Sequence, residues 1–396
     1  MKKKILFVIP SLRSGGAEKS LISVLSLFDY EKYEVDLLLF RRDGLFFEKI
    51  PKGINHLYDT SDFEIFDGDW KRAAVHFLKK LDFSAVIDRI KYRKTFSETD
   101  MVTQETKSWH YLRKRLPEIK KNYDCAIGFL EGNASNYVAD CVRADRKICF
   151  VHNDISKLPH NESFYRNSFE KCDAVVTVSS LCLESLAAEF PDLNGKFNVI
   201  ENITCRKLIM SYVNENEKAF EKSDGETVIL TVGRCSEQKN IALAVNTCSE
   251  LKKRGRKIKW YHIGKGDLVG EVGSLISELK LENDFIMLGE KSNPYPYMAQ
   301  CDIYVQPSRF EGKSIAIDEV KCLYKPIVVT NFPSVYDQIA DGVNGIICQM
   351  DKCDMADKIE MLIDSKEVRN GLSNALSKEK TGNEEELQKL YKLIDG

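Results

Sequence analysis

Short apolar runs alternate with longer amphipathic segments along most of the chain. The runs in the first half have the length of buried strands and fall at 4–10, 34–40, 124–129, 147–151, 174–178 and 197–200. Leu21, Val24 and Leu25 recur at helical spacing between the first two runs, which predicts a helix over 17–28. Because strands and helices alternate, the pattern indicates a parallel sheet with helices on both faces.

The alternation stops over 202–226, where polar and charged residues predict a linker with a short helix. It then restarts, with predicted strands at 227–232, 258–263, 285–288, 302–306, 326–330 and 345–348, and helices that include 241–254, 314–322 and 334–340. The sequence therefore predicts an α/β protein with two Rossmann-like, doubly wound parallel-sheet domains. We place these domains at 1–205 and 206–380, followed by a helix at 381–396 that packs back toward the first domain.

The segment 70–121 departs from this scheme because it is helical in pattern and basic. It holds 14 Lys and Arg residues against 6 Asp and Glu residues over 71–121, with aromatic residues such as Trp70, Phe77 and Trp109 between them. One interpretation is an ordinary helix pair with a solvated basic face. The other is a surface that docks on anionic lipid or receives a phosphorylated lipid acceptor.

Length and composition narrow the class of protein. A chain of 396 residues is long enough for two domains, and its formal net charge of −2 gives no general attraction to nucleic acid. No apolar run approaches the roughly 18 residues of a membrane-spanning helix, and the run after Lys4 is too short for a signal peptide. The 12 cysteines are scattered singly, as reduced core cysteines are, so we expect a cytoplasmic protein.

The strongest candidate for chemistry is S-R-F-E-G-K-S-I-A-I-D-E at 308–319, which follows a predicted strand and opens a helix. Ligands of open parallel sheets bind at the carboxyl ends of strands, and a helix N-terminus there suits a diphosphate. Gly312 lets the backbone approach a ligand closely. Glu319 lies some two turns, roughly 10 Å, into the helix, so Glu311 and Glu319 have the spacing to hold two ends of a sugar nucleotide. Two surface glutamates are the alternative interpretation.

A second candidate is V-G-R-C-S-E-Q-K-N at 232–240, again between a predicted strand and a helix. Arg234 and Lys239 would place two cations at one edge of the sheet. Such a pair suits a leaving diphosphate and can replace a metal ion. Ordinary surface charges are the alternative here.

The first half offers weaker candidates. Gly15 and Gly16 precede the first helix and form a loop that can accept an anion. The loop lacks the G-x-G-x-x-G pattern, which disfavours a nicotinamide-binding domain. His152 follows a predicted strand and is a candidate for contact with the reaction centre, although a lone histidine at a strand end is more often structural.

Together these segments resemble the retaining, family-four glycosyltransferases of the GT-B fold, especially bacterial ones that build cell-surface polysaccharides. The resemblance covers nearly the whole chain and rests on V-G-R-C-S-E-Q-K-N, on N-P-Y-P-Y at 293–297 and on the Glu-x7-Glu element of Glu311 and Glu319. The segments 9–18 and 176–180 are similar too. Many relatives have E-G-F-G where this chain has E-G-K-S, and the aspartate usual shortly after V-I-x-N is missing after Asn202.

The resemblance implies roles for these positions. The two domains would face each other across a cleft, with Arg234 and Lys239 holding the donor diphosphate, Glu311 contacting the transferred sugar and Glu319 the ribose. His152 matches a histidine near the sugar, so Glu311, His152, Arg234 and Lys239 would be the catalytic residues. Further donor contacts are implied for Gly15, Gly16, Leu288, Gly289, Gly312, Lys313 and Ser314.

The resemblance also implies the chemistry: retention of anomeric configuration, no cofactor or metal, and a leaving phosphate that helps to deprotonate the acceptor. We therefore expect transfer of a hexose or N-acetylhexosamine from a UDP-sugar to a lipid-linked or growing polysaccharide acceptor. The enzyme would be peripheral at the inner face of the membrane, contacting an anionic surface through 70–121 and no nucleic acid. A sugar-nucleotide epimerase or phosphorylase of similar two-domain shape and a non-catalytic nucleotide-sugar-binding protein are the alternatives.

Overall fold

The computed structural model describes residues 2–13, 15–97, 101–155, 162–213 and 219–396, without the side chains of residues 101, 102 and 105. The chain divides into two compact units, of which the first joins Met1–Asn202 to Glu385–Gly396 and the second comprises Ile203–Glu384. Each unit contains one parallel β-sheet with helices connecting its strands. The predicted class, two doubly wound parallel-sheet α/β domains, is confirmed.

The sheet of the first unit has seven strands: β1 (Lys3–Ile9), β2 (Tyr33–Leu39), β3 (Ile54–Leu57), β4 (Tyr123–Gly128), β5 (Ala144–Val151), β6 (Ala174–Thr177) and β7 (Phe197–Val199). Their spatial order is β3-β2-β1-β4-β5-β6-β7. The central strand β1 is buried from Ile5 to Ile9, as expected for a strand covered on both faces. The edge strand β3 was not predicted, because its sequence I-N-H-L has no continuous apolar run.

The helices of the first unit are α1 (Gly16–Leu27), α2 (Ser61–Asp67), α3 (Trp70–Lys79), α4 (Phe83–Thr95), α5 (Met101–Leu112), α6 (Asn133–Cys141), α7 (Glu162–Lys171) and α8 (Ser180–Glu189). Aspartates begin two of them, since Asp69 accepts from the N–H of Arg72 before α3 and Asp82 accepts from the N–H of Ala85 before α4. The segment 70–121 therefore forms three α-helices, followed by a 3-10 helix at Arg113–Arg115. The interpretation of this segment as one helix pair was wrong, because capped breaks divide it further.

The second unit has six strands: β8 (Thr227–Val232), β9 (Ile258–Ile263), β10 (Phe285–Met287), β11 (Ile303–Gln306), β12 (Ile327–Thr330) and β13 (Ile346–Cys348). Their order is β10-β9-β8-β11-β12-β13, and all pairs are parallel. Ile229 packs into the core on one face of the sheet, while Val228 and Leu230 pack into a separate core on the other. Burial on both faces explains why these strands read as continuous apolar runs.

The helices of the second unit are α9 (Arg206–Val213), α10 (Ile241–Lys253), α11 (Val269–Glu278), α12 (Tyr295–Gln300), α13 (Ile315–Cys322), α14 (Lys352–Asp364) and α15 (Lys366–Lys378). The helix predicted at 334–340 is instead a 3-10 helix at Pro333–Asp337. The N–H of Gln338 bonds to Val335 O, and the Gln338 side chain bonds to the backbone of Ser314. These contacts end the turn early.

The last helix, α16 (Glu386–Asp395), completes the first unit. The Tyr391 ring stacks on Tyr33 with 5.2 Å between centroids. The Asp395 carboxylate accepts from Lys3 Nζ at 3.0 Å, and its pKa is lowered by Lys32, Lys3 and Tyr33 against the opposing effect of burial. Across the described helices, none is both long enough and apolar enough to span a bilayer.

Candidate active site

Both sheets have a topological switch point where ligands of doubly wound folds bind. In the second unit, the chain runs from β8 outward to β9 and β10, then returns to place β11 on the other side of β8. The loops at the carboxyl ends of β8 and β11 therefore flank one crevice. These loops carry the two strongest candidates from the sequence, 232–240 and 308–319.

Glu311 lies at this crevice, only 7% exposed, and is surrounded by donors. Its Oε1 atom accepts from Ser308 Oγ at 2.6 Å, from Gln306 Nε2 at 3.0 Å and from the ammonium group of Lys239. Its Oε2 atom lies 3.4 Å from Gln238 Nε2. The structure thus brings Glu311 and Lys239 together as an ion pair, and the alternative of an exposed surface glutamate is wrong at this position.

Arg234 lies in the loop after β8 and is exposed. Across the described ranges, its guanidinium makes no ion pair or hydrogen bond. An exposed guanidinium that has no ion-pair partner at the edge of a sheet can bind a phosphate through two parallel hydrogen bonds. The two candidate cations therefore differ, since Lys239 is already neutralised by Glu311 and Arg234 is available.

Glu319 is buried in the first turns of α13, 3% exposed. Its Oε1 atom accepts from the Tyr295 hydroxyl at 2.6 Å. Burial and the Glu319 carboxylate raise the pKa of Tyr295 well above its ordinary value, so Tyr295 stays a donor. The Tyr295 ring in turn stacks on Tyr212 of α9, with centroids 5.7 Å apart and planes 9° apart. Glu319 is held in place by an aromatic pair, so it too is no surface glutamate.

The start of α13 is the predicted anion site. Because the helix begins at Ile315, Glu319 is about one turn into it, rather than two. The N–H of Ser314 already donates to Gln338 Oε1 at 2.9 Å, whereas the buried Ser314 Oγ has no hydrogen-bond partner among the described residues. Gly312 and Lys313 precede it in the same loop, and the Glu311 carbonyl accepts from Ser334 Oγ at 2.8 Å.

Leu288 and Gly289 lie beyond β10, at the same edge of the sheet. The Leu288 N–H donates to His262 O at 2.8 Å, and Gly289 O accepts from the N–H of Gly264 at 2.9 Å. Gly289 has φ +67°, a conformation that favours glycine.

His262 is buried and donates from Nε2 to Gly233 O at 2.9 Å, and burial lowers its pKa to about 4.

In the first unit, the glycine loop lies at the switch point between β1 and β4. Gly15 precedes α1 and Gly16 is its first residue. A Cβ atom at Gly15 would lie 2.0 Å from a carboxylate oxygen of Glu18, so a side chain at position 15 would require the Glu18 side chain to move away from the helix N-terminus. An anion bound here would have to displace Glu18.

His152 follows β5, near the same switch point. Both of its ring nitrogens are buried, and its ring lies 5.2 Å from Phe129 and 5.8 Å from Phe150. Burial lowers the pKa of His152, although Glu131 opposes this shift. Glu131 Oε2 accepts from the His152 N–H at 2.9 Å and its other oxygen from Asn153. His152 is therefore a neutral imidazole at physiological pH.

Several side chains that complete the site were not singled out from the sequence. Gln306 and Ser308 hold Glu311, Tyr295 holds Glu319, and Gln338 holds Ser314. Two polar residues at the end of the apolar strand β11 were the available signal for the first pair. Within the described ranges, no group of three or more His, Cys, Asp and Glu side chains is placed to hold a metal ion; metal independence stays a prediction.

Two parallel-sheet units, with cations and buried carboxylates at a switch point of the second, agree with the two-domain nucleotide-sugar transferases that the sequence resembles. Residues 213–379 match the family model "Glycosyl transferases group 1", and this segment belongs to that family. The predicted resemblance to this glycosyltransferase family is thereby confirmed for the segment 213–379.

Relatives cover most of the chain. It is 26% identical to N-acetylgalactosamine-N,N'-diacetylbacillosaminyl-diphospho-undecaprenol 4-alpha-N-acetylgalactosaminyltransferase of Campylobacter jejuni, over 94% of this chain and 93% of that protein. It is 25% identical to N,N'-diacetylbacillosaminyl-diphospho-undecaprenol alpha-1,3-N-acetylgalactosaminyltransferase of the same organism, over 68% of this chain and 70% of that one.

Solved structures share the fold. Anabaena Alr3699/HepE in complex with UDP-glucose has a TM-score of 0.68 at 17% identity, with 99% of each chain covered. WaaG, a glycosyltransferase involved in lipopolysaccharide biosynthesis, has a TM-score of 0.64 at 11% identity, covering 99% of this chain and 100% of that one. These likenesses agree with the GT-B fold.

Proposed function

We propose that the protein transfers a hexose or N-acetylhexosamine from a UDP-sugar to a lipid-linked or growing polysaccharide acceptor, with retention of configuration and without a metal ion. The observation that carries this proposal is the buried Glu311 carboxylate, which Lys239, Gln306 and Ser308 fix, together with the exposed Arg234 in the neighbouring loop after β8. A fixed carboxylate next to free positive charge suits a ligand with hydroxyl groups at one end and a diphosphate at the other.

The diphosphate would bind Arg234 first. Lys239, which pairs with Glu311 in this structure, would then share its charge with the leaving phosphate. Cations placed in advance stabilise the negative charge that develops on the diphosphate as the glycosidic bond breaks, and this is the role a metal ion plays elsewhere. The unpartnered Ser314 Oγ offers one further donor at the start of α13.

The two carboxylates would bind the rest of the donor. Glu311 would accept from hydroxyls of the transferred sugar and Glu319 from the ribose. Both are held by donors that fix their orientation, so little conformational entropy is lost when the donor binds. Leu288 and Gly289, beyond β10, would border the nucleobase.

In the front-face route to retention, the acceptor attacks from the face that the diphosphate leaves. The leaving phosphate would accept the proton of the acceptor hydroxyl, so no side chain needs to act as the base. His152 fits this scheme, because a neutral imidazole exchanges hydrogen bonds with sugar hydroxyls without adding charge. Gly15 and Gly16 would lie beside the phosphate.

Support for the donor and the acceptor comes from the relatives. HepE has been crystallised with UDP and with UDP-glucose, which favours a UDP-sugar. The names of both Campylobacter jejuni relatives specify acceptors linked to diphospho-undecaprenol, which favours a lipid-linked acceptor and a peripheral location at the inner face of the membrane.

The test is an assay of the purified full chain with a panel of UDP-, GDP- and ADP-sugars and polyprenyl-diphosphate-linked acceptors, with and without EDTA. We expect transfer from a UDP-sugar that EDTA does not abolish, and NMR should show the anomeric configuration of the donor in the product. Conversion of the sugar nucleotide without an acceptor would indicate an epimerase. Binding without turnover on any acceptor would indicate a non-catalytic protein, and either result would reject the proposal.

A further inference from the structure

The exposed apolar side chains of this protein are concentrated on two helices. Among the described residues, eight of the fifteen large hydrophobic side chains with high exposure lie between Trp70 and Phe96. Seven of them are more than 45% exposed on or between α3 and α4: Trp70, Val75, Leu78, Leu81, Phe83, Ile87 and Ile90. Single exposed apolar residues are normal in proteins, but a cluster of this kind marks an interaction surface.

The apolar residues lie on the outer side of one helical hairpin. Phe77 of α3 and Tyr92 of α4 are buried in the same core cluster, so the opposite sides of both helices point away from that core. The Arg93 guanidinium lies 5.6 Å from the Trp70 ring, which places the start of α3 beside the end of α4. We call the exposed side of α3, α4 and their connecting turn the hairpin face.

Positive charge accompanies the apolar residues on the hairpin face. Lys71, Lys79, Lys91 and Lys94 are exposed, and across the described residues none of them makes an ion pair. By contrast, two of the cations after α5 are paired: Lys114 with Asp88, and Arg115 with both Asp82 and Asp88. Among the described residues, the unpaired positive charge of the segment 70–121 is therefore concentrated in its first half.

We propose that the hairpin face docks the protein on an anionic lipid bilayer. The apolar side chains would enter the interfacial region, while the lysines at their margins bind lipid phosphates and carboxylates. Charge complementarity favours this partner. Four unpaired lysines around a group of apolar side chains match a bilayer, which has anionic headgroups at its surface and apolar chains beneath them. The inference deepens the proposed function, since a lipid-linked acceptor lies in a membrane.

The test is flotation of the full chain with vesicles of phosphatidylcholine containing about 30% phosphatidylglycerol, compared with phosphatidylcholine alone. Each lysine near an anionic surface strengthens binding about fivefold. We therefore expect the double variant Lys91→Glu, Lys94→Glu to reduce partitioning at least about 25-fold. The matched control is Lys366→Glu, Lys378→Glu, which makes the same charge change at exposed positions of α15 and should leave partitioning unchanged.

A second pair of variants separates insertion from charge attraction. Ile87→Ser, Ile90→Ser should weaken binding about tenfold, while Met361→Ser, at an exposed apolar residue of α14, should not. Fluorescence gives an independent readout, since Trp70 is 47% exposed and Trp109 and Trp260 are buried. Anionic vesicles should shift the emission to the blue, and Trp70→Phe should remove the shift.

Equal partitioning of both lysine double variants, or an unchanged emission spectrum on full vesicle binding, would overturn the proposal. A dimer in sedimentation velocity that Ile87→Ser, Ile90→Ser dissociates, together with unaltered vesicle binding, would assign the hairpin face to self-association. Because vesicle binding is measured without donor or acceptor, its failure leaves the transferase proposal untouched, and an inactive protein that floats with vesicles leaves this one intact.

Discussion

Replacing Glu311 with glutamine removes its charge and keeps most of its contacts. The three shortest hydrogen bonds to Glu311, from Lys239, Gln306 and Ser308, all end on Oε1. The amide oxygen of a glutamine can occupy that position and accept from the same three donors. The new amide nitrogen would take the place of Oε2, whose contact with Gln238 Nε2 is long at 3.4 Å.

The expected loss of stability follows from these contacts. A hydrogen bond to a charged group contributes roughly 1 kcal/mol more than a neutral one. The bonds from Gln306 and Ser308 become neutral, and Lys239, with its side chain only 17% exposed, loses its counter-ion, so Glu311→Gln should cost at least about 2 kcal/mol. In a unit of this size that corresponds to a lower melting temperature by roughly 4–8 °C. Glu311→Ala leaves three buried donors without an acceptor and should cost roughly twice as much.

Activity should fall far more than stability. If the carboxylate stabilises charge in the transition state, its loss should lower kcat by about 100- to 1,000-fold, as for other fixed groups that stabilise developing charge. UDP affinity should change by less than about threefold, because Glu311 is assigned to the sugar. Steady-state kinetics with donor and acceptor, calorimetry with UDP and thermal melts measure the three quantities on the same preparation.

The reasoning about Glu311 would be refuted by a folded Glu311→Gln variant whose kcat lies within about threefold of the parent. A melting temperature lowered by more than about 15 °C would contradict the claim that glutamine keeps the Oε1 contacts. The natural control is Gln238→Ala, because Gln238 reaches Glu311 only through the long contact to Oε2 and otherwise donates to Phe310 O at 3.1 Å; it should change stability by about 1 kcal/mol at most.

Three further predictions concern the surroundings of the site. Arg234→Ala should leave the melting temperature unchanged and raise the donor KM at least about tenfold, because the guanidinium is exposed and uncommitted; kinetics and melts test this. Tyr295→Phe removes the 2.6 Å bond to Glu319 and should weaken UDP binding about tenfold in calorimetry. Buried His262, with its pKa of about 4 against about 6.5 unfolded, should contribute stability above pH 6.5 that is lost as the pH falls toward 4, by about 3 kcal/mol; urea unfolding of the parent and His262→Gln across this range measures the difference.

Each of these predictions has an outcome that contradicts it. An unchanged donor KM for Arg234→Ala would remove Arg234 from the diphosphate site. Wild-type UDP affinity for Tyr295→Phe would show that Glu319 needs no positioning by the hydroxyl. Parallel pH profiles for the parent and His262→Gln would mean that folding does not lower the pKa of His262, despite its burial.

The strands and the site loops could be predicted because they depend on local sequence. Buried parallel strands read as apolar runs, and cations or carboxylates just after such a run lie at the ligand-binding edge. This reasoning located Arg234, Lys239 and Glu311 correctly at the edge. It could not predict that Lys239 is paired while Arg234 is not, because that distinction depends on which side chain from another loop reaches which cation.

Contacts between distant segments account for the remaining differences. Tyr295 and Tyr212 are far apart in sequence, and only the packing of α12 against α9 reveals that they support Glu319. The division of the basic segment into paired and unpaired lysines likewise depends on Asp82 and Asp88. The edge strand β3 has no continuous apolar run, and the segment predicted as a helix at 334–340 forms only a 3-10 turn, where the Gln338 side chain bonds to the distant Ser314.

The position of α16 has a consequence for making chimaeras of this enzyme. Because α16 belongs to the first unit, residues 203–384 form an insertion between two segments of that unit. An exchange of donor specificity with a relative should therefore replace an internal cassette with two junctions. A single crossover near Asn202 would pack the α16 of the relative against Tyr33 and Lys3 of this chain. Such a chimaera should fold only where the relative has the same residues as this chain at Tyr391 and Asp395.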